Sequence, residues 1–118
     1  MIMNKDLLKM GCSVGIANVV MQGKWKFAII HFLSEDTMRF GELCRALPNI
    51  RQGYLTQQLR ELEKDGLVHR EVYKQVPPKV EYSLTEIGRE FLSVTKAMDE
   101  WGKKYIKLLE KTFDGKDE

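Results

Sequence analysis

"RQGYLTQQLRELEKDGLVHREVYKQVPPKVEYSLT", residues 51–85, changes its hydrophobic period partway along. In its first half Leu55, Leu59 and Leu62 recur at i, i+4 and i+7, the spacing of one helical face. That pattern stops at Asp65-Gly66, a good helix end. The period then becomes two. "LVHREVY" sets Val68, Arg70 and Val72 against Leu67, His69, Glu71 and Tyr73, and "VEYSL" sets Val80, Tyr82 and Leu84 against Glu81 and Ser83. A helix followed at once by a two-stranded hairpin is expected. The tip, "YKQVPPKVEY", suits a tight two-residue turn badly, because nothing in it readily supplies positive φ. Pro77 and Pro78 instead restrict φ and reduce the entropy lost on holding a longer loop, while Lys74 and Lys79 put charge at its base.

Upstream, "VGIANVVM" fits a short buried helix that stops at "QGK". "KWKFAIIHFLSED" places Trp25, Ile29, Phe32 and Leu33 on one side of a helix ending near Ser34. "MRFGELCRALPNI" repeats the helical spacing with Phe40, Leu43, Cys44 and Leu47, and Pro48 disfavours helix in the residue before it. Downstream, Thr85 is a good N-cap, and Glu86 and Glu90 complement the positive end of a helix. Ile87, Phe91, Val94, Met98, Trp101, Tyr105, Leu108 and Thr112 then step by four and three, and Leu92 and Leu109 widen the stripe. A mainly α chain with a small antiparallel β-hairpin and one long terminal helix is predicted.

At 118 residues and 13.7 kDa, one domain spanning 1–118 is expected. Hydrophobic residues at 43% and charged residues at 31%, with three prolines, place it among soluble globular proteins, with "DGKDE" as a frayed tail. The apolar run "FAIIHFL" is far short of a membrane span and "MIMNKDLLKM" lacks a signal peptide's apolar region, so the expectation is a cytoplasmic protein with no membrane partner. Two cysteines, Cys12 and Cys44, are too few for a disulfide scaffold. His31 and His69 have no partner at a ligand spacing, so no metal is expected, and no cofactor motif or catalytic constellation stands out. The chain does not read as an enzyme. Its net charge of +2 also says little, so any nucleic-acid surface must come from placing bases on one face.

Helix, turn, helix, hairpin is the layout of a winged helix-turn-helix domain, with the helix-turn-helix at about 39–64, the wing at about 67–84 and a C-terminal dimerisation helix at about 86–113. In such a domain the second helix enters the major groove. Opposite its leucines, this one carries Gly53, Gln57, Arg60 and Lys64, with Tyr54, Thr56 and Glu61 on the shoulders. Gln and Arg make bidentate contacts to adenine and guanine edges. The alternatives are a merely solvated face and a winged-helix module for protein assembly with little DNA affinity.

"GKWKFAIIHFL", "RFGELCRALPNI", "LTQQLRELEKDGLVHREVY", "VPPKVEYSLTEIG" and "WG", in that order over roughly residues 12–102, resemble the successive motifs of the HxlR-type winged-helix transcription regulators, a group similar to the MarR regulators. The resemblance implies a homodimer on a partly palindromic operator in double-stranded DNA, often responding to electrophilic, oxidative or aldehyde stress; the effector is left open. Two positions depart from the pattern. Ser13 replaces the proline after the N-terminal cysteine and is itself a candidate cap, and Arg51 replaces a serine opening the recognition helix, moving the expected cap to Asn49.

Near base edges or adjacent phosphates the expected residues are Gln52, Tyr54, Thr56, Gln57 and Arg60; Arg51 joins Lys24, Arg39, Lys74 and Lys79 as a phosphate contact. Phe91, Met98, Trp101, Tyr105 and Leu108 are expected at the dimer seam. Cys12, at a helix start, is either a thiol sensor or a small apolar filler under the dimer contact. Cys44 reads as a core thiol, with a disulfide from Cys12 to Cys44 of the partner subunit as the redox alternative. Trp25 and Trp101 read as core or dimer packing.

Overall fold

The computed structural model describes residues 5–114, so the expected tail beyond Asp114 lies outside the described residues. A 3-10 turn, Lys5–Met10, leads into α1 (Ser13–Val20), α2 (Lys26–Phe32), β1 (Met38–Arg39), α3 (Phe40–Ala46) and α4 (Gln52–Lys64). The wing strands β2 (Val68–Tyr73) and β3 (Lys79–Leu84) follow, then α5 (Glu86–Glu90) and α6 (Leu92–Asp114). The winged-helix layout expected from the period change is present.

The core is where the helical stripes converge. Ile29, Ile30 and Leu33 of the α2 segment, Leu43 of α3, Leu55, Leu59 and Leu62 of α4 and Val68 of β2 are each at most 1% exposed. Each such aliphatic side chain contributes about 1.5–3 kcal/mol by leaving water. Gly66, at φ 86°, ends α4 in the left-handed region and turns the chain straight into β2.

Several expectations need correction. The sheet has three strands in the order β1-β3-β2, because Met38 and Arg39 pair with Tyr82 and Glu81 instead of starting a helix. A two-residue strand is too short to show a period, so sequence patterning could not reveal it. The α2 stripe is Lys26, Ile29, Ile30 and Leu33; Phe32 is exposed. None of the residues of α1 is buried, and Val14 is open to solvent. On β2 only Val68 is buried, and Val72 faces water.

The predicted single C-terminal helix is two. Thr85 caps α5, its Oγ1 accepting the Gly88 N–H at 3.2 Å and donating to the Gly66 carbonyl at 2.6 Å, which ties the helix start to the wing base. At Phe91 the helix breaks, and the Phe91 ring packs against Phe27 of α2 at 5.7 Å between centroids. Beyond buried Thr95, every residue of α6 except half-buried Gly102 is exposed. The radius of gyration, 16.9 Å, accordingly exceeds the roughly 13 Å of a compact chain of about 100 residues.

Candidate nucleic-acid interface

The outward face of α4 is built by what holds its inner face. With Leu55, Leu59 and Leu62 locked in the core, helical geometry turns Gln52, Gly53, Gln57, Arg60 and Lys64 to solvent. Gly53, Thr56, Gln57, Arg60, Glu61 and Lys64 line a shallow concavity of about 250 Å³ there. Arg51 is the N-cap and makes no side-chain cap bond, and Asn49 does not take that role. Arg51 is exposed beside the first turn, its guanidinium free of capping duty.

Two of the expected contact residues have internal partners. Tyr54 is half-buried against the core, and its hydroxyl accepts the Lys24 backbone N–H at 3.3 Å. The Thr56 hydroxyl donates to the Gln52 carbonyl at 3.0 Å, the usual way a mid-helix threonine satisfies itself. Lys24 is exposed, with its ammonium 5.6 Å from the Trp25 ring centroid, and Trp25 itself packs against the core.

On the wing, Lys74 to Pro78 form an exposed tip in which the Val76–Pro77 peptide is cis. Lys74 is exposed, whereas Lys79 is half-buried, 3.3 Å from Glu81 and 4.8 Å from the centre of the Tyr73 ring. Glu81 also hydrogen-bonds the Tyr73 hydroxyl, which, with the carboxylate's charge, pushes that phenol above its ordinary value. The two wing lysines are therefore not equivalent. Arg39 lies opposite Glu81 across β1 and β3, and its backbone N–H is held by Glu42 at 2.8 Å.

Under α4 lie two buried polar side chains that sequence reasoning missed, Lys26 and Gln58. Lys26 is 3% exposed, with its ammonium 2.7 Å from Glu61 Oε1 and 3.4 Å from the Val20 carbonyl. Glu61 Oε2 in turn accepts an N–H from Gln57 at 3.1 Å. The bond from Lys26 holds the Glu61 carboxyl below its ordinary value, burial opposes it, and Gln57 adds to the lowering. Gln58 is 2% exposed and packs on Gly23, whose φ of 146° and missing Cβ leave room for the amide. Both Lys26 and Gln58 fall on the apolar stripe of their helix, three residues before Ile29 and three after Leu55. Position alone pointed to burial; residue type concealed it.

The thiols are separate from this surface. Cys12, and not Ser13, is the N-cap of α1; it is exposed, and its Sγ accepts the Gly15 N–H at 3.4 Å. Cys44 is half-buried and packs against the core from α3. His31 and His69 are exposed, and among the described residues no three His, Cys, Asp or Glu side chains cluster as a metal site would need. Nor is any helix of the described residues long and apolar enough to cross a membrane.

A leucine-seated helix with a polar outer face, preceded by α3 and followed by a three-stranded wing, defines a winged helix-turn-helix protein. The model of the HxlR-like helix-turn-helix family matches residues 20–110, and the chain belongs to that family. It is 50% identical over 101 residues to the uncharacterized HTH-type transcriptional regulator YdeP of Bacillus subtilis (strain 168), covering 86% of this chain and 79% of that one. Among solved structures, the redox regulator HypR in its reduced form is 49% identical with a TM-score of 0.79, covering 85% of this chain and 99% of that chain. HypR in its oxidized form is 52% identical with a TM-score of 0.75, covering 79% and 96%.

Acid titration should expose the Lys26–Glu61 pair. A carboxyl lowered in the fold contributes stability that is complete above its ordinary value near 4.5 and is lost as pH falls through the folded value. Glu61→Gln should therefore destabilise the chain at pH 7 by about 1–2 kcal/mol, less than for a fully buried pair because Glu61 is partly open to water. The difference from wild type, measured by denaturant melts, should shrink below pH 4.5.

Proposed function

We propose that this protein is a sequence-specific DNA-binding transcription regulator that works as a homodimer on a partly palindromic operator. The observation that carries this is α4: fully seated by leucines on one side, it offers Gln52, Gln57 and Arg60 together on the other, next to an exposed wing. Family membership supports it independently. Glutamine and arginine on one helix face match the donor and acceptor code of adenine and guanine edges in the major groove. Arg51, Lys24, Arg39 and Lys74 supply exposed cations for phosphates on either side, Lys79 a half-shielded one.

Dimerisation is supported by the apolar face of α6. Met98, Trp101, Tyr105 and Leu108 are each more than 40% exposed, and Trp101 stacks on Tyr105 at 5.1 Å between centroids, an aromatic surface left largely open among the described residues. Phe91 is shared, one side packed on Phe27 and the rest lining an apolar groove of about 580 Å³ with Ile16, Ala17, Val20, Ile87 and Val94. The seam thus runs from this groove along α6, and α1 covers its near end. A two-fold dimer sets the recognition helices about 34 Å apart, one turn of B-DNA.

Redox response is supported by the exposed helix-capping thiol of Cys12 and by the likeness to HypR, whose two structures carry reduced and oxidized forms. The reaction would join Cys12 to Cys44 of the partner subunit, two thiols losing two electrons and two protons to an oxidant such as a diazene, which becomes the hydrazine.

In gel shifts the wild-type chain should retard DNA from upstream of its own gene; an absence of any shift would leave the fold as an assembly module. Arg60→Ala should cost about 1–3 kcal/mol and relax base choice at one position per half-site. Lys74→Ala should weaken all sequences alike and reduce the log–log salt slope by about 1 per half-site, with a smaller effect for Lys79→Ala because its ammonium is already paired. Sedimentation at micromolar concentration should give a dimer, and Trp101→Glu a monomer; a monomeric wild type would exclude the arrangement. Diamide should produce a covalent dimer on non-reducing gels that is absent from both Cys12→Ser and Cys44→Ser.

A further inference from the structure

Lys26 occupies a position on the buried stripe of α2 where leucine or methionine would pack as well, so its charge calls for an explanation beyond seating the helix. Lysine is almost never fully buried unless paired, and here its partner belongs to the neighbouring recognition helix: Glu61 Oε1 at 2.7 Å. The same carboxylate holds Gln57 through its other oxygen. The three side chains form one line from the core to the outer face of α4.

We propose, on the reading that α4 contacts bases, that Lys26 and Glu61 are positioning residues that fix the amide of Gln57 in one orientation and so set its base preference. An amide has one acceptor oxygen and two N–H donors on the opposite end. With one N–H given to Glu61, Gln57 keeps its oxygen and its second N–H for a ligand, the pair that adenine matches with its N6 donor and N7 acceptor. Flipping the amide would set its oxygen against the carboxylate, acceptor to acceptor, so the flipped form is disfavoured as long as Glu61 is charged and Lys26 holds its carboxylate beside Gln57. Lys26 acts twice. It holds the carboxylate in place, and it balances a negative charge that would otherwise repel phosphates beside α4.

This separates two quantities. Glu61→Gln removes the orientation bias, since a glutamine at 61 accepts either end of the Gln57 amide, and it removes the repulsive charge as well. Lys26→Met leaves the charge, now unbalanced and poorly held. Selectivity should fall in both variants, and affinity should fall further in Lys26→Met. The double variant should recover affinity but not selectivity, a split that a purely structural role for the pair would not give.

The test uses full-length protein and duplexes selected by the wild type from a random pool. The position read by Gln57 is defined as the one whose preference Gln57→Ala erases, and affinity is then measured for all four bases there. Wild type is expected to favour adenine by about tenfold or more. Glu61→Gln and Lys26→Met should each bring that ratio to about threefold or less, and Lys26→Met/Glu61→Gln should bind the selected duplex more tightly than Lys26→Met while staying unselective. Glu61 is on the surface side of the pair, so its variant keeps the test open even where Lys26→Met does not fold. Full wild-type preference in Glu61→Gln, with Gln57→Ala unselective, overturns the relay alone. Gln57→Ala with every preference intact overturns the relay and the assignment of Gln57 to a base together.

Discussion

What the outer polar face can offer a partner depends on how α4 is seated. Three leucines, Leu55, Leu59 and Leu62, lose essentially all contact with water against α2, α3 and β2, and that burial fixes the roll of the helix about its own axis. Helical geometry then decides which residues emerge on the far side, and a rotation of one residue, about 100°, would take Gln57 and Arg60 off that face and bring Gln58 or Leu59 toward it. The polar contacts beneath α4 act on this arrangement without creating it. Tyr54 accepts the Lys24 N–H and Lys26 reaches Glu61, so each ties the helix to α2 or to the loop before it, while the Gln58 amide packs on Gly23 with its oxygen unpartnered among the described residues.

Charge is organised locally and not in bulk. With 19 basic and 17 acidic residues, the chain is close to neutral, and several lysines that look available in the sequence are engaged in the fold. Lys26 is spent on Glu61 and Lys79 on Glu81 and the Tyr73 ring, whereas Arg51, Arg60 and Lys74 remain exposed around α4 and the wing tip. A weakly charged protein can still hold a nucleic acid if its free cations share one side, because phosphate contacts are counted by neighbouring charges and not by net charge. The prolines of the wing tip bear on the same point: they donate no backbone hydrogen bond, so a partner at that tip would be met mainly through side chains.

The C-terminal helix has the opposite problem. From Lys96 onward it buries nothing except part of Gly102, yet it carries tryptophan, tyrosine and leucines in a helical stripe. A helix of this kind is stable when its apolar side is covered, since propensity alone leaves short isolated helices marginal in water. Thr85 and the Phe91 ring tie α5 to the wing base and to Phe27, the first turns of α6 pack along α2 as far as buried Thr95, and the rest of α6 is exposed apart from Gly102.

Periodicity carried the elements that obey one rule over a long enough stretch. The leucines of α4, the switch to period two at Val68, the Asp65-Gly66 stop and the Thr85 cap are each a local pattern, and local patterns survive in a one-dimensional string. What failed was short or shared. Met38 and Arg39 become a strand only because β3 lies beside them, and the interruption at Phe91, whose ring packs on Phe27, leaves no mark in the apolar spacing. Cys12 rather than Ser13 caps α1, and Arg51 rather than Asn49 opens α4, because cap identity follows backbone angles that no spacing encodes. Spacing and residue type suffice to place a leucine-backed polar helix before a wing. Which cations stay free was settled in three dimensions, since folding brings the Glu61 carboxylate of α4 onto Lys26 and seats Lys79 between Glu81 and the Tyr73 ring, while Lys24 and Lys74 stay exposed.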